Sequence, residues 1–315
     1  MIVTVTLNPA LQVRYDADQL ELGVVNHVGR VRYEASGRGL AVARLLQTFG
    51  HEVVAAGLAG GSAAEHIKAE LARSGVPAQF TRIGAESRRA VRIADARTGL
   101  ITTLAEPAPY ITTEELGRLA ADFRALLDGA TAVVLCGSLP AGLPTETYGS
   151  LTSYAVAAGV PVILNTGGDM LSLAAARGPA LVIPDETVQT DATAPAESAA
   201  AAMMAAGTSA VVLPIENGVH AVTADGDWHA TTGSLGGPVP DQPELAASGR
   251  RDALVAGFVP GIALGWSWPD MLRHAVALAE SVTPAGEADL GAYEKVLAHV
   301  RVTGPRAPAG SRSTG

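Results

Sequence analysis

Two short stretches set cations beside glycines where helical patterns begin. Residues 34–46 read EASGRGLAVARLL, with Arg38 between Gly37 and Gly39 and apolar residues at helical spacing from Leu40 onward. Residues 246–258 read AASGRRDALVAGF, where Gly249, Arg250 and Arg251 run into Asp252 and a second helical pattern over about 252–264. A helix N-terminus exposes unpaired N–H groups and carries a partial positive charge, so each stretch could hold an oxyanion or a phosphate. Asp252 falls in the first turn of its expected helix, where a carboxylate serves either as a cap or as a base.

Other reactive side chains point less clearly to chemistry. The seven histidines are scattered and lack a spacing such as H-E-x-x-H, which argues against a histidine metal site. Cys136 lies in an apolar run and reads as a small buried hydrophobe. The GLAGG segment at 57–61 follows an apolar run but lacks the full G-x-G-x-x-G pattern and its following acid.

The elements that must carry these residues alternate. Apolar runs at 2–7, 53–58, 132–136, 160–164, 180–183 and 210–213 read as strands. Helical patterns at 39–49, 65–74, 113–127, 145–158 and 196–206 lie between them. Short apolar strands separated by helices predict a central, mostly parallel sheet flanked by helices on both faces. Residues 11–32 and 88–103 break that rhythm: they alternate polar and apolar without an intervening helix, and Arg97-Thr98-Gly99 marks a hairpin turn. They predict a small antiparallel sheet acting as a lid, with strands within about 11–33 and 88–106. The Pro/Gly/Ser/Arg-rich tail at 303–315 is expected to be unstructured.

Composition bounds the function. The chain has 315 residues, 48% hydrophobic and 17% charged, enough for one large α/β domain or two smaller ones. A formal charge of −9 argues against a nucleic-acid partner, and makes local arginine clusters stand out as candidate sites. No apolar run reaches the roughly 18 residues of a membrane span. The single cysteine excludes internal disulfides, and the N-terminus lacks the pattern of a signal peptide, so a cytoplasmic protein is expected.

Four motifs in order then resemble the PfkB, or ribokinase-like, carbohydrate kinases, and within them the 1-phosphofructokinase and tagatose-6-phosphate kinase branch. These are TVTLNPAL (4–11), SGRGLAVARLLQTFGHEV (36–53), CGSLPAGLP (136–144) and GRRDALVAGF (249–258). The resemblance implies a ribokinase-like domain over residues 1–302 that transfers a phosphoryl group from ATP, with Mg²⁺, to a hydroxyl of a sugar phosphate or related polyol. It implies Asp252 as general base and Gly249, Arg250 and Arg251 as an anion hole for the moving phosphoryl. Gln12, Gly37, Arg38, Gly39, Arg88 and Ser138 fall at substrate-binding positions, with Arg38 and Arg88 by the phosphate the acceptor already carries. Asp185, Glu186 and Gly218 fall at nucleotide-side positions. The family often dimerises through its lid, and isolated small sheets bury little alone, so a homodimer is expected.

The departures lie mostly on the nucleotide side. The K-P-N-x-x-E motif reads IPDETV (183–188), the nucleotide turn retains only its last glycine, Gly218, and Gly-Ala-Gly-Asp has become Gly-Arg-Arg-Asp. On the sugar side, Ala41 and Gln12 replace the family's asparagine and aspartate. Three functions fit this pattern: a sugar-phosphate kinase, a diverged kinase for a cyclitol or natural-product intermediate, and a non-catalytic ligand-binding or regulatory protein.

Overall fold

The computed structural model describes residues 1–185, 196–215, 218–232, 243–283 and 286–306. Strand β1 (Ile2–Thr6) lies within a sheet of ten strands among those residues. On one side it pairs with β4 (Val53–Ala59), which pairs with β5 (Ala78–Arg82). On the other side come β8 (Ala132–Cys136), β9 (Val162–Asn165), β10 (Leu181–Val182) and β11 (Ala210–Ile215), all parallel. Beyond β11 the sheet turns antiparallel through β12 (Gly218–Thr223), β13 (Gly226–Thr231) and β14 (Arg301–Arg306). β14 carries strand structure through residues 303–306, the start of the tail expected to be unstructured, because its backbone pairs with β13. The rest of that tail lies outside the described residues.

Successive side chains of a strand point to opposite faces, and both faces here are covered. Ala132, Val134 and Cys136 enter one core, whereas Val133 and Leu135 enter the other. The first core packs under α1 (Arg38–Thr48), α7 (Pro243–Leu264) and α8 (Trp268–Glu280). The second packs under α3 (Thr113–Leu127), α4 (Thr147–Ala157), α5 (Gly168–Ala175) and α6 (Ala196–Ala206). A reciprocal capping box between Thr112 and Glu115 starts α3 where the sequence places it.

The lid is a four-stranded sheet in the order β3 (Arg30–Ser36), β2 (Ala10–Ala17), β6 (Arg89–Asp95), β7 (Ile101–Ala105). Its outer ladders are antiparallel, but the central β2/β6 pair is parallel. The chain leaves β2 and β3 through α1, β4, α2 (Gly61–Arg73) and β5 before it returns as β6, so two hairpins join side by side. The rings of Tyr33 and His66, tilted 35° to one another with centroids 5.6 Å apart, tie β3 to α2.

Helix α7 departs from expectation. It begins at Pro243, nine residues before Asp252, and so contains the whole Gly249-Arg250-Arg251-Asp252 run. Glu244-Leu245-Ala246-Ala247 are strong helix formers that extend the helix backwards, and Gly249 is tolerated within it. A Cβ at Gly249 would stand 3.0 Å from the Cα of Gly286, so the glycine there allows a close chain approach.

Candidate active site

A cavity of about 870 Å³ opens between the lid and the C-terminal ends of β1 and β8. Thr6 and Asn8 from the β1 end, Cys136 to Ser138 from the β8 end, Asp185 and the α7 residues Ser248, Gly249 and Asp252 line it. Gln12, Arg14, Glu34, Arg88 and Arg92 enter from the lid side. Ligands of open parallel sheets bind beyond the carboxyl ends of the strands, and this cavity occupies that place.

The glycines around Arg38 have a geometric cause. Gly37 precedes α1 with φ of 151°, in the region that favours glycine, and a Cβ on it would stand 2.7 Å from Thr6 Cγ2. A Cβ on Gly39 would stand 2.5 Å from Thr6 Oγ1. The start of α1 thus rests on the end of β1, which fixes where Arg38 emerges. Its guanidinium donates to Asn165 Oδ1 at 3.1 Å and to Asp185 Oδ1 at 2.8 Å. Asn165 in turn donates to the Ile183 carbonyl at 2.8 Å, anchoring the loop that presents Asp185.

Asp252 is 7% exposed, and its Oδ1 is buried without a hydrogen-bond partner among the described residues. Burial pushes its carboxyl up to about 7, while Arg38 and Arg251 pull it down and Asp185 raises it further. Arg251 reaches Asp185 Oδ1 at 3.4 Å and donates from Nε to the Ala247 carbonyl at 3.2 Å.

The residues expected to form an anion hole are placed as follows. Backbone amides from Gly249 to Asp252 sit in the interior of α7, beyond its first turn, where helical N–H groups are already bonded to carbonyls four residues back. Arg250 turns outward, 55% exposed, to pair with Glu280 at 2.6 Å. Of the three expected residues, Arg251 alone carries a side chain toward Asp185 and Asp252.

Elsewhere the structure gathers most of the expected residues. Gln12, Gly37, Arg38, Arg88, Ser138 and Asp185 all line the cavity. Gln12 donates to Glu34 at 2.9 Å, and Asn8 to Ser138 at 3.2 Å. Arg88 Nε is buried without a hydrogen-bond partner among the described residues, and burial lowers its pKa. Gly218 is not among the lining residues; it opens β12 with φ of 158°, and a Cβ there would collide with the Ala230 carbonyl. Glu186 and Val188 lie outside the described residues. Sequence reasoning missed Arg14, Glu34 and Arg92. Their signal was the polar side of the alternation along β2, β3 and β6, which does not reveal that the three strands adjoin.

A magnesium ion held mainly by a donor's phosphates would need only one or two carboxylates from the described residues. Among them no group of three His, Cys, Asp or Glu side chains could hold a metal ion. Asp185, the carboxylate nearest Asp252 in the charge network, is already neutralised by Arg38 and Arg251.

The fold is shared with proteins of known structure. A candidate phosphofructokinase from Staphylococcus aureus superposes with a TM-score of 0.82 at 22% identity, covering 96% of this chain and 98% of its own. A candidate 1-phosphofructokinase from Thermotoga maritima gives 0.79 at 21% identity, covering 96% and 99%. Escherichia coli phosphofructokinase-2 in complex with fructose-6-phosphate gives 0.81 at 24% identity, covering 94% and 98%. The architecture is therefore the ribokinase-like one: a mostly parallel sheet between helices, with a small sheet as lid. Residues 10–215 match the model for "pfkB family carbohydrate kinase", well over half of the chain. The chain belongs to the pfkB family of carbohydrate kinases, phosphotransferases with an alcohol group as acceptor.

Proposed function

We propose that the protein transfers a phosphoryl group from ATP to a hydroxyl of a phosphorylated sugar or a closely related polyol. The observation that carries this is Asp252: a carboxylate buried in the cavity, without a hydrogen-bond partner among the described residues, with its pKa raised to about 7. A general base is most effective when its pKa lies near the working pH. An acceptor hydroxyl placed against Asp252 Oδ1 loses its proton to that carboxylate as its oxygen bonds to the transferred phosphorus. The bond from that phosphorus to the bridging oxygen of the donor breaks, and ADP leaves.

Arg88, Arg92 and Arg14 supply the acceptor end. A buried guanidinium nitrogen without a partner is costly unless a ligand satisfies it, and a phosphate suits a guanidinium well. The fructose-6-phosphate bound by the E. coli neighbour has the group such a wall would take. Ala41 on the cavity wall, in place of an amide side chain, leaves room for a ring of different shape, which supports a cyclitol phosphate as the alternative acceptor.

The interior position of Gly249 to Asp252 in α7 favours a second function, a non-catalytic ligand-binding protein, because it removes the free amides of an anion hole. ADP release measured over a panel of sugar phosphates and cyclitol phosphates separates the two. Turnover that disappears in Asp252→Asn supports the kinase. Ligand binding without turnover on any member supports the binder. The exposed apolar side chains of the lid support a homodimer formed through it, and ATP as donor fits a cytoplasmic setting.

A further inference from the structure

The geometry points to a polyphosphate clamp formed by Arg38 and Arg251, in which Asp185 sits as an internal anion that the donor's phosphates displace. This rests on the proposed kinase function and names the groups that receive the donor.

The two arginines come from different elements, Arg38 from the first turn of α1 on the cavity wall and Arg251 from the interior of α7, behind Asp185. Both meet the same carboxylate. Arg38 Nη2 lies 2.8 Å from Asp185 Oδ2 as well as from Oδ1, and Arg251 Nη1 lies 3.4 Å from Oδ1. A carboxylate held by two guanidinium groups has the charge and planarity of one face of a phosphate, so Asp185 stands where a phosphoryl oxygen would. The loop is held independently by the Asp185 amide, which donates to the Thr166 carbonyl at 3.0 Å, and by Asn165 on Ile183. Only the side chain has to swing for the clamp to open.

One argument opposes the other role for Asp185, as a metal ligand, and a second assigns phosphoryl charge to side chains. A divalent cation placed on this carboxylate would face both guanidinium groups at short range, which is strongly repulsive away from bulk water. The helix amides that would otherwise meet phosphoryl charge are consumed inside α7, so that charge falls to side chains. Arg250 points away, which leaves Arg38 and Arg251 as the pair adjoining Asp252.

The test is calorimetric binding of inorganic tripolyphosphate to the full-length protein in excess EDTA. The wild type is expected to bind. Arg251→Ala and Arg38→Ala should each weaken binding about tenfold or more, with Arg251→Lys retaining part of it. Asp185→Asn should tighten binding severalfold, a gain that a misfolded variant cannot produce. Absence of wild-type binding in EDTA would overturn the inference. So would unchanged affinity in Arg251→Ala, or an Asp185→Asn variant that binds no more tightly than wild type. Phosphoryl transfer over the acceptor panel is scored separately: the expected binding pattern without transfer upholds the clamp and defeats the kinase, and transfer without that pattern does the reverse.

Discussion

Arg14 and Arg92 stand opposite one another across the parallel β2/β6 ladder, and both line the cavity. Like charges directly paired on neighbouring strands are destabilising. Asp16 relieves Arg14 at 3.1 Å and Arg32 at 2.7 Å. Burial and then Arg14 lower the pKa of Arg92, with Glu34 as the opposing charge. The arrangement costs stability and concentrates positive charge on the cavity wall.

Arg92→Ala should therefore weaken a phosphorylated acceptor while leaving tripolyphosphate binding in EDTA nearly unchanged. Loss of one charge-assisted hydrogen bond corresponds to about 1.5–3 kcal/mol, or roughly ten- to a hundredfold in affinity. Titration of wild type and variant with the best acceptor of the panel measures it. An effect below twofold would show that the acceptor's anionic group lies elsewhere.

The pH dependence follows from Asp252. The base role proposed for Asp252 requires the ionised carboxylate, so kcat/KM should rise with pH through about 7. Stability runs the other way. The folded-state pKa lies above the unfolded value of 3.8, so the native state binds more protons than the unfolded state between the two values, and stability falls as pH rises from about 4 to about 7. Asp252→Asn removes that dependence. The variant should melt above the wild type at pH 8, by an amount on the order of a few kcal/mol, and the gap should close toward pH 4. Equal pH dependence of the two melting curves would contradict the raised pKa.

The start of α1 gives a prediction independent of ligands. In Gly39→Ala the new Cβ would meet Thr6 Oγ1 at 2.5 Å and the Val5 carbonyl oxygen at 3.1 Å. Neither Thr6 nor the β1 backbone can yield easily, since both are buried in the centre of the sheet. A cost of about 1–3 kcal/mol is expected, read as a lower midpoint in chemical denaturation. The double substitution Gly39→Ala with Thr6→Ala should recover part of it, because the smaller side chain removes the nearer clash.

Local features of this fold are written in the sequence, and long-range ones are not. The strand at 132–136 and the helices at 113–127 and 196–206 follow from local patterns, and their bounds agree with the structure to the residue. The beginning of α7 does not, because Gly249 resembles a helix boundary and its role against Gly286 is a tertiary contact. The Arg14–Arg92 pair depends on a ladder between strands separated by most of the first α/β units, which no periodicity reports. The place of Arg38 at the start of a helix was legible from its flanking glycines. Its engagement with Asp185, 147 residues away, was not.

The last prediction concerns assembly. The segment joining β2 to β3 exposes Leu22 at 92% and Val25 at 81%, with Val24 between them. The β6–β7 turn exposes Leu100 at 69%. These two segments are joined at one end of the lid: Leu20 N donates to Asp95 Oδ2 at 3.0 Å, and Arg97 N to the Asp18 carbonyl at 3.1 Å. Apolar side chains gathered on one projecting edge are unusual on a monomer's surface and mark a contact with another chain. A second copy of the lid would bury them, and the expected species at micromolar concentration is a homodimer by light scattering. The variant Leu22→Ser with Val25→Lys should be monomeric. Its intrinsic fold should be intact, since neither side chain contributes to the core, so the far-ultraviolet circular dichroism should match the wild type. A wild type that is monomeric at that concentration would rule out the assembly, and a variant that stays dimeric would place the interface on another surface.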